Sequence, residues 1–174
     1  TEGMAVVLSE LSQDNYTGIG ISMGGGMCNV CLSFLSVPII VFSVPKGGDD
    51  IDLSVARVVN ETRNRVRVLK EETLDFSRPP RNKMENAFEI YYDDLILSVL
   101  SQLSAVLSQA QNMPKLHQAI PIVVAGGTCM PNGFKVKFEK ILKQVSLPIQ
   151  ISEVRIAADP MRATARGALI SAGV

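Results

Sequence analysis

The amino-acid sequence predicts a mixed α/β fold, in which a three-stranded antiparallel meander is followed by parallel strands and helices flank the sheet. Three observations predict it. Short apolar segments separated by glycine-rich or polar turns lie near the N-terminus, helical periodicity fills the middle third, and strands and helices alternate afterwards. The chain has 174 residues, of which 47% are hydrophobic. A domain of that size buries a core without a disulfide or a metal staple.

The first third of the chain predicts one helix and three strands. Apolar residues at helical spacing predict a helix over 1–12, which a polar cluster ends. Strands are expected over 16–23, 27–35 and 37–44, with Gly24–Gly26 as the first hairpin turn. Because these strands show little polar alternation, we expect a sheet that is covered on both faces.

Helical periodicity dominates the middle third. The expected helices span 51–60, 64–73 and 83–111. The apolar stripe of the longest one consists of Ile90, Leu97, Leu100, Leu103 and Leu107. Since this third is nearly all helical, residues 51–113 are expected to form a small helical insertion in a lobe built from 1–50 and 114–174.

Strands and helices alternate in the last third, which is typical of parallel pairing. The expected elements are a strand over 120–125, a helix over 132–145, a strand over 147–151 and a helix over 159–173. Asp159 is expected to cap the last helix, with Pro160 at its first position.

Composition excludes several classes of protein. Seventeen basic residues balance seventeen acidic ones, so no excess positive field is available to hold nucleic acid or an anionic membrane. The longest apolar run, over 34–45, is shorter than a membrane span. Three cysteines and no export signal predict a cytoplasmic protein. Because the chain starts at Thr1 with a helical pattern already under way, we expect a fragment of a longer protein.

Two glycine-rich turns are the first candidate binding elements. Gly24–Gly26 removes side chains from a tight bend, so that backbone N–H groups can approach a phosphate. Gly126–Gly127–Thr128 follows a strand and precedes a helix, where open α/β sheets place ligands. Taken alone, each is also compatible with an ordinary turn.

A charged helix face is the third candidate. Arg67, Lys70 and Glu71 share one side of a predicted helix, and two cations with a carboxylate suit the phosphates and ribose hydroxyls of a nucleotide. A solvated helix surface is the alternative.

The spacing of Cys28 and Cys31 is that of a metal knuckle or a redox pair, but in a strand these two positions point to opposite faces. We therefore expect structural burial. Cys129 and His117 are the other soft ligands, and His117 has no positioned nucleophile and carboxylate with which to form a triad. No metal site and no catalytic residue are assigned.

In order, these segments resemble the second half of an actin-like ATPase domain, the superfamily of actin, the bacterial MreB proteins and the heat-shock chaperone ATPases. Glu2–Ala5 resembles the connecting helix, Ile21–Met27 the second phosphate motif and Gly47–Asp52 the segment that follows it in bacterial members. The remaining matches are Arg67 with Lys70 and Glu71, Gly126–Met130 and Asp159–Ala168.

The resemblance implies a ribonuclease H-like lobe with a helical insertion, corresponding to actin subdomains IIA and IIB. It implies that ATP or ADP with Mg²⁺ binds in a cleft, whose other wall is a first lobe absent from this chain. The phosphates would contact Gly24, Gly25, Gly26 and Met27. The base and ribose would contact Gly48, Arg67, Lys70, Glu71, Gly126, Gly127, Thr128 and Met130. Self-assembly into filaments or dimers is a further implication.

Two departures from the family pattern bear on hydrolysis. Ser22 stands where the family has an aspartate that helps to hold hydrated Mg²⁺, and Met27 stands where a threonine hydroxyl usually donates to phosphate. We therefore expect binding to be retained better than hydrolysis, and Ser22→Asp to raise Mg²⁺-dependent turnover. The alternatives are a degenerate actin-fold scaffold or assembly protein and, on the cysteine pair alone, an unrelated small α/β enzyme or redox module.

Overall fold

The computed structural model describes residues 1–111, 113–116 and 118–173. The first elements are α1 (Glu2–Glu10), β1 (Gly18–Met23), β2 (Cys28–Phe34), β3 (Val37–Val44) and α2 (Gly48–Val59). They are followed by α3 (Arg63–Thr73), α4 (Lys83–Gln109), β4 (Ile120–Ala125), α5 (Phe134–Leu142), β5 (Ile151–Ile156) and α6 (Ala163–Ser171). The predicted mixed α/β architecture is confirmed.

The five strands form one sheet in the order β3-β2-β1-β4-β5. The meander is antiparallel, with Ile21 opposite Val30 in the first pair and Val30 opposite Phe42 in the second. β1 and β4 are parallel neighbours, with Ser22 opposite Ala125. β5 extends the parallel half. The carboxyl ends of β1 and β4 therefore meet at one edge of the sheet.

Helices cover both faces of the sheet, and alternate residues of β4 show how. Ile122 and Val124 belong to the larger core, with α2, α4 and α5. Val123 and Ala125 belong to a smaller core with α1 and α6. The side-chain alternation of a strand thus divides one apolar segment between two layers of helices.

Central and edge strands differ in burial, which corrects one expectation. β1 is buried along its whole length, whereas Val37 and Val41 of β3 are 57% and 47% exposed. β3 is the edge of the sheet, so the expected cover on both faces is wrong for this strand.

α4 is the described helix that is long and apolar enough to cross a membrane by length and composition. Its buried side chains are Ala87, Phe88, Tyr92, Leu95, Ile96, Val99, Leu100, Leu103 and Leu107, which join the larger core. Ile90 and Leu97 of the expected stripe are 57% and 43% exposed. The buried face of α4 includes Phe88 and Tyr92, and Ile90 and Leu97 lie outside this face.

Two boundaries in the last third were predicted wrongly. The final strand is Ile151–Ile156 rather than 147–151, because Pro148 has no N–H for a ladder and the edge strand carries polar residues on its open face. The final helix begins at Ala163. Asp159 instead caps a turn, and the carbonyl of Pro160 accepts from the N–H of Gly126 at 2.8 Å rather than continuing a helix.

The helical middle third shares the larger core with the sheet, since Val55 and Leu100 lie in the same buried cluster as Ile21. The division into a lobe over 1–50 and 114–174 and an insertion over 51–113 stays a prediction.

Candidate functional site

The two glycine-rich turns lie side by side at the carboxyl edge of the sheet. β1 leads into Gly24 and its parallel neighbour β4 leads into Gly126. The hydroxyl of Thr128 donates to the carbonyl oxygen of Gly24 at 2.9 Å and joins the two turns. The two sequence motifs therefore lie next to each other, and we call the surface between them the groove.

Gly126 is required by this close approach. Its φ is +100°, and a Cβ at that position would lie 2.3 Å from the carbonyl oxygen of Met23. Any side chain would push the two strand ends apart, because a backbone oxygen cannot move away as a flexible side chain can.

The first turn is held by α2. The N–H groups of Gly48 and Asp49 donate to the carbonyls of Gly24 and Gly25 at 3.0 and 2.8 Å. The first amides of α2 are thus occupied and are not open to a ligand. Gly25 and Gly26 are exposed, and within the described residues their own N–H groups have no hydrogen-bond partner. These two amides are available to donate to an anion.

Lys70 is the residue of the charged helix face that reaches the groove. Its ammonium donates to the carbonyl oxygen of Gly48 at 3.2 Å and pairs with Asp52 at 2.7 Å. Arg67 and Glu71 instead pair with each other at 3.7 Å, with more than half of each side chain exposed. The structure thus brings Lys70 to the glycine turns and leaves Arg67 and Glu71 at the surface of α3.

A carboxylate lies beside the first turn. A Cβ at Gly25 would be 3.2 Å from Asp49, whose other oxygen pairs with Arg63 at 2.8 Å. Because every cation in this region is matched by a carboxylate, the groove offers a phosphate backbone N–H groups rather than an unpaired positive charge.

Ser22 lies near the end of β1, at the position where the resemblance implies an aspartate. Its hydroxyl donates to Oε2 of Glu2 at 2.9 Å, and the same oxygen accepts from the Asn29 amide at 3.0 Å. Ser43 in turn donates to Oδ1 of Asn29 at 2.6 Å. The Glu2 carboxylate of α1 therefore lies directly beside Ser22.

Glu2 is a site residue that sequence reasoning missed. Its motif was recognised as the connecting helix, but the distance between α1 and β1 cannot be read from spacing. The signal that could have found it is Gly3, since a Cβ there would lie 2.7 Å from the backbone nitrogen of Cys31. Such a contact brings the start of α1 directly onto the sheet.

Three exposed methionines lie at or near the two glycine turns. Met27 and Met130, both predicted site residues, are 48% and 57% exposed, and Met161 is 64% exposed. The sulfur of Met161 lies 3.4 Å from the position of a Cβ at Gly127. The apolar, adaptable side chain of Met161 therefore lies against the second turn, where Gly126 and Gly127 have no side chains and leave space for a flat base. Met161 was also missed, because in the sequence it lies in the turn before α6, and it meets Gly127 only in the fold.

Comparison with known proteins places this arrangement in a family. The sequence matches the Volactin family over residues 1–172. The chain belongs to the Volactin family. No curated protein matches the sequence significantly.

Two solved structures show the fold of this Volactin chain to be that of the actin-like ATPases. The ethanolamine utilization protein EutJ from Carboxydothermus hydrogenoformans superposes with a TM-score of 0.67 at 21% identity, covering 94% of this chain and 52% of EutJ. A non-polymerising mutant of MamK bound to AMPPNP superposes with a TM-score of 0.70 at 19% identity, covering 98% of this chain and 57% of MamK. The chain thus spans about half the length of these structures.

The cysteines of the Volactin chain are buried, as expected. Burial raises the pKa of Cys28 to about 12 and that of Cys31 to about 11. Cys31 contacts Met4 on the α1 side, while Cys28 lies in the core on the opposite side. Among the described residues no group of three or more histidine, cysteine, aspartate or glutamate side chains could hold a metal ion. His117 lies outside the residues described.

A cavity of about 520 Å³ lies away from the groove, near the beginnings of β4 and β5. Leu107, Met113 and Ile149 contribute to its wall. Neither glycine turn borders it.

Proposed function

We propose that this chain is one lobe of an actin-like ATPase and binds ATP or ADP with Mg²⁺ in the groove between Gly24–Gly26 and Gly126–Thr128. The hydrogen bond from Thr128 to Gly24 carries the proposal, because it joins two glycine-rich turns from distant parts of the sequence at one place. The fold supports it, since MamK, which shares that fold, was solved with AMPPNP.

In this proposal the phosphates lie against the first turn. The exposed amides of Gly25 and Gly26 donate to phosphate oxygens, and the absence of side chains lets them approach closely. The nucleoside lies between Lys70 on α3 and the bare backbone of Gly126 and Gly127, with Met161 as an apolar edge.

The residues beside the first turn fit Mg²⁺. This ion prefers oxygen ligands, keeps several waters and is usually held by one or two carboxylates together with substrate phosphates. Glu2 supplies one carboxylate, which Ser22 and Asn29 hold in place by hydrogen bonds. Mg²⁺ bound there would neutralise phosphate charge, which the matched ion pairs of the groove do not do.

Hydrolysis is proposed to be weak. Ser22 has no charge, and Glu2 is the one carboxylate placed beside it. Phosphoryl transfer depends on positioning and on charge stabilisation by the metal, so the loss of a second anionic group slows it more than it weakens binding.

The rest of the proposal concerns the whole protein. A first lobe of the same protein would supply the other wall of the cleft, consistent with the half-length coverage of the solved structures. Self-assembly into filaments or dimers and a cytoplasmic location complete it. The printed description of MamK concerns polymerisation, and this is the support for assembly.

A degenerate scaffold is the second candidate, and one observation favours it. The cations near the groove are each paired with a carboxylate, Lys70 with Asp52, Arg63 with Asp49 and Arg67 with Glu71. Such internal pairing of charges is also expected in a protein that has kept the fold but no longer binds the nucleotide.

Calorimetric titration of the full-length protein with ATP and with ADP, each with and without Mg²⁺, separates these candidates. We expect binding that Mg²⁺ strengthens. Thr128→Val removes the hydroxyl that joins the turns and should weaken binding about fivefold, the value of one hydrogen bond. The matched control is Thr17→Val at the opposite end of β1, where the hydroxyl accepts from Leu35. If neither nucleotide binds the wild-type protein, the degenerate scaffold is the function that remains.

A further inference from the structure

A buried ion pair lies directly beneath the groove. The Asp52 side chain on α2 has no exposed area, and the Lys70 side chain on α3 is 10% exposed. Lys70 Nζ lies 2.7 Å from Oδ1 of Asp52 and donates to the carbonyl oxygen of Gly48 at 3.2 Å. A carboxylate of one helix therefore fixes the ammonium of the next at the floor of the groove.

Asp52 depends on this single cation. Apart from the contact with Lys70, neither of its oxygens has a hydrogen-bond partner among the described residues, and the hydroxyl of Tyr92 is likewise buried and unpartnered. The neighbouring charges Asp49 and Arg63 form a pair of their own at 2.8 Å. A buried carboxylate is tolerated when a cation matches it, so the position of Lys70 is set by Asp52.

Within the described residues, one donor of Lys70 has no partner. An ammonium has three donors, and Asp52 and Gly48 take two of them. Gly48 has no side chain to cover the third, since a Cβ there would lie 2.8 Å from the Thr128 hydroxyl and 3.3 Å from Lys70 Nζ. Lys70 and Thr128 thus border the same small space at the groove floor.

We propose that Asp52 is a positioning residue of the nucleotide site. It holds Lys70 against Gly48, so that Lys70 offers the nucleoside side of the ligand one fixed hydrogen-bond donor instead of a mobile charge. This inference rests on the proposed nucleotide binding. Asp52 lies below the groove and does not touch the ligand. It acts on the site through Lys70, and this gives α2 a role in nucleotide binding.

The first test needs no ligand. Lysines of the full-length protein are labelled with limiting acetic anhydride, and the rate at each lysine is measured by mass spectrometry. The reagent reaches Lys70, whose side chain is 10% exposed, only when its pairing with Asp52 opens, so Lys70 should react at least about tenfold more slowly than Lys46, whose side chain is 48% exposed. In Asp52→Asn the rate at Lys70 should rise. Equal rates at the two lysines, or no response to Asp52→Asn, would overturn the positioning role.

The second test is a double-mutant cycle on the dissociation constant for ATP. Asp52→Asn and Lys70→Met should each weaken binding about tenfold, and the double variant should be no weaker than Lys70→Met alone. Losses that multiply would mean that Asp52 acts independently of Lys70, and the inference would fail. Asp94→Asn is the matched control, because Asp94 pairs with Lys46 at 3.2 Å on the surface.

A third variant covers the case in which Asp52→Asn does not fold. Lys70→Arg keeps the charge for pairing with Asp52, but it replaces the compact ammonium with a larger planar fork, which changes the position and direction of the donor offered to the ligand. It should fold and bind ATP about tenfold more weakly. Wild-type affinity in this variant contradicts the inference. If the wild-type protein binds no nucleotide, the proposed function fails and the ligand part of the inference with it, while the labelling still decides whether Asp52 fixes Lys70.

Discussion

The hydroxyl of Thr128 donates to the carbonyl oxygen of Gly24 over a separation of 104 residues. This contact exists because β1 and β4 are parallel neighbours, so that the turns after them leave the same edge of the sheet. Parallel pairing thereby converts two unremarkable glycine turns into the two sides of one groove. The place of the candidate site follows from the topology before any side chain is considered.

The close approach of the turns predicts that one glycine-to-alanine change destabilises the fold strongly and that another hardly affects it. Gly126→Ala places a Cβ 2.3 Å from the Met23 carbonyl at a φ of +100°, and should lower the free energy of unfolding by about 2–3 kcal/mol. Gly26→Ala meets nothing within 4 Å, and should change it by less than about 0.5 kcal/mol. Urea unfolding of both variants measures this, and equal stabilities would show that the turns are not packed as described.

Local patterns in the sequence predicted most elements of the fold and failed where a distant contact decides the backbone. β4 was predicted at its observed bounds because a short apolar run between breakers is unambiguous. The start of α6 was missed because the carbonyl of Pro160 bonds to Gly126, 34 positions earlier in the chain, which no local pattern shows.

The same limit applies to the site. The glycine turns were predicted correctly because consecutive glycines by themselves indicate a turn. Glu2 and Asp52 were missed because their roles come from partners on other elements, Ser22 on β1 and Lys70 on α3. Sequence periodicity indicates which face of an element is buried, but it does not indicate which carboxylate on that face meets which donor.

The loop before α4 should respond to acid. Arg78 and the backbone N–H of Arg81 bind the carboxylate of Glu85 and lower its pKa from the ordinary 4.5 to about 2. A lowered pKa in the folded state stabilises the protein above the unfolded value, and this contribution is lost as the pH falls from 4.5 towards 2. Unfolding measured across that range should show less acid sensitivity in Glu85→Gln than in wild type. Glu139→Gln, on the surface of α5, is the control, and the same acid profile in both variants would contradict the assignment.

The thiols should be unreactive in the folded protein. Burial raises the pKa of Cys129 to about 12, as it raises those of the other two cysteines. Since the thiolate is the reactive form, we expect slow reaction with an aromatic disulfide reagent and fast reaction of all three thiols in denaturant. Two rapidly reacting thiols in the folded protein, or tight binding of zinc to it, would favour the redox or metal module instead.

The last prediction concerns the carboxylate beside residue 22. The family pattern alone predicts that Ser22→Asp raises Mg²⁺-dependent turnover, but the Ser22 hydroxyl is already a donor to Glu2 at 2.9 Å. Aspartate would place a second carboxylate against the first, and two like charges at that distance raise the pKa of one of them. The variant should therefore be less stable than wild type near neutral pH, and the difference should shrink as the pH falls and one carboxyl becomes protonated.

Moving the charge instead of adding one isolates this effect. Glu2→Gln removes the α1 carboxylate, and the double variant Glu2→Gln with Ser22→Asp restores one carboxylate at residue 22. If one anionic group beside the turn is what Mg²⁺ needs, Glu2→Gln should lose the Mg²⁺ dependence of ATP binding, and the double variant should regain it together with near-wild-type stability. Turnover is then compared in the double variant, where the introduced carboxylate acts without a competing charge. If Ser22→Asp alone is as stable as wild type at every pH, the Glu2 carboxylate points away from residue 22 in solution. The proposal that Glu2 helps to hold Mg²⁺ would then fail.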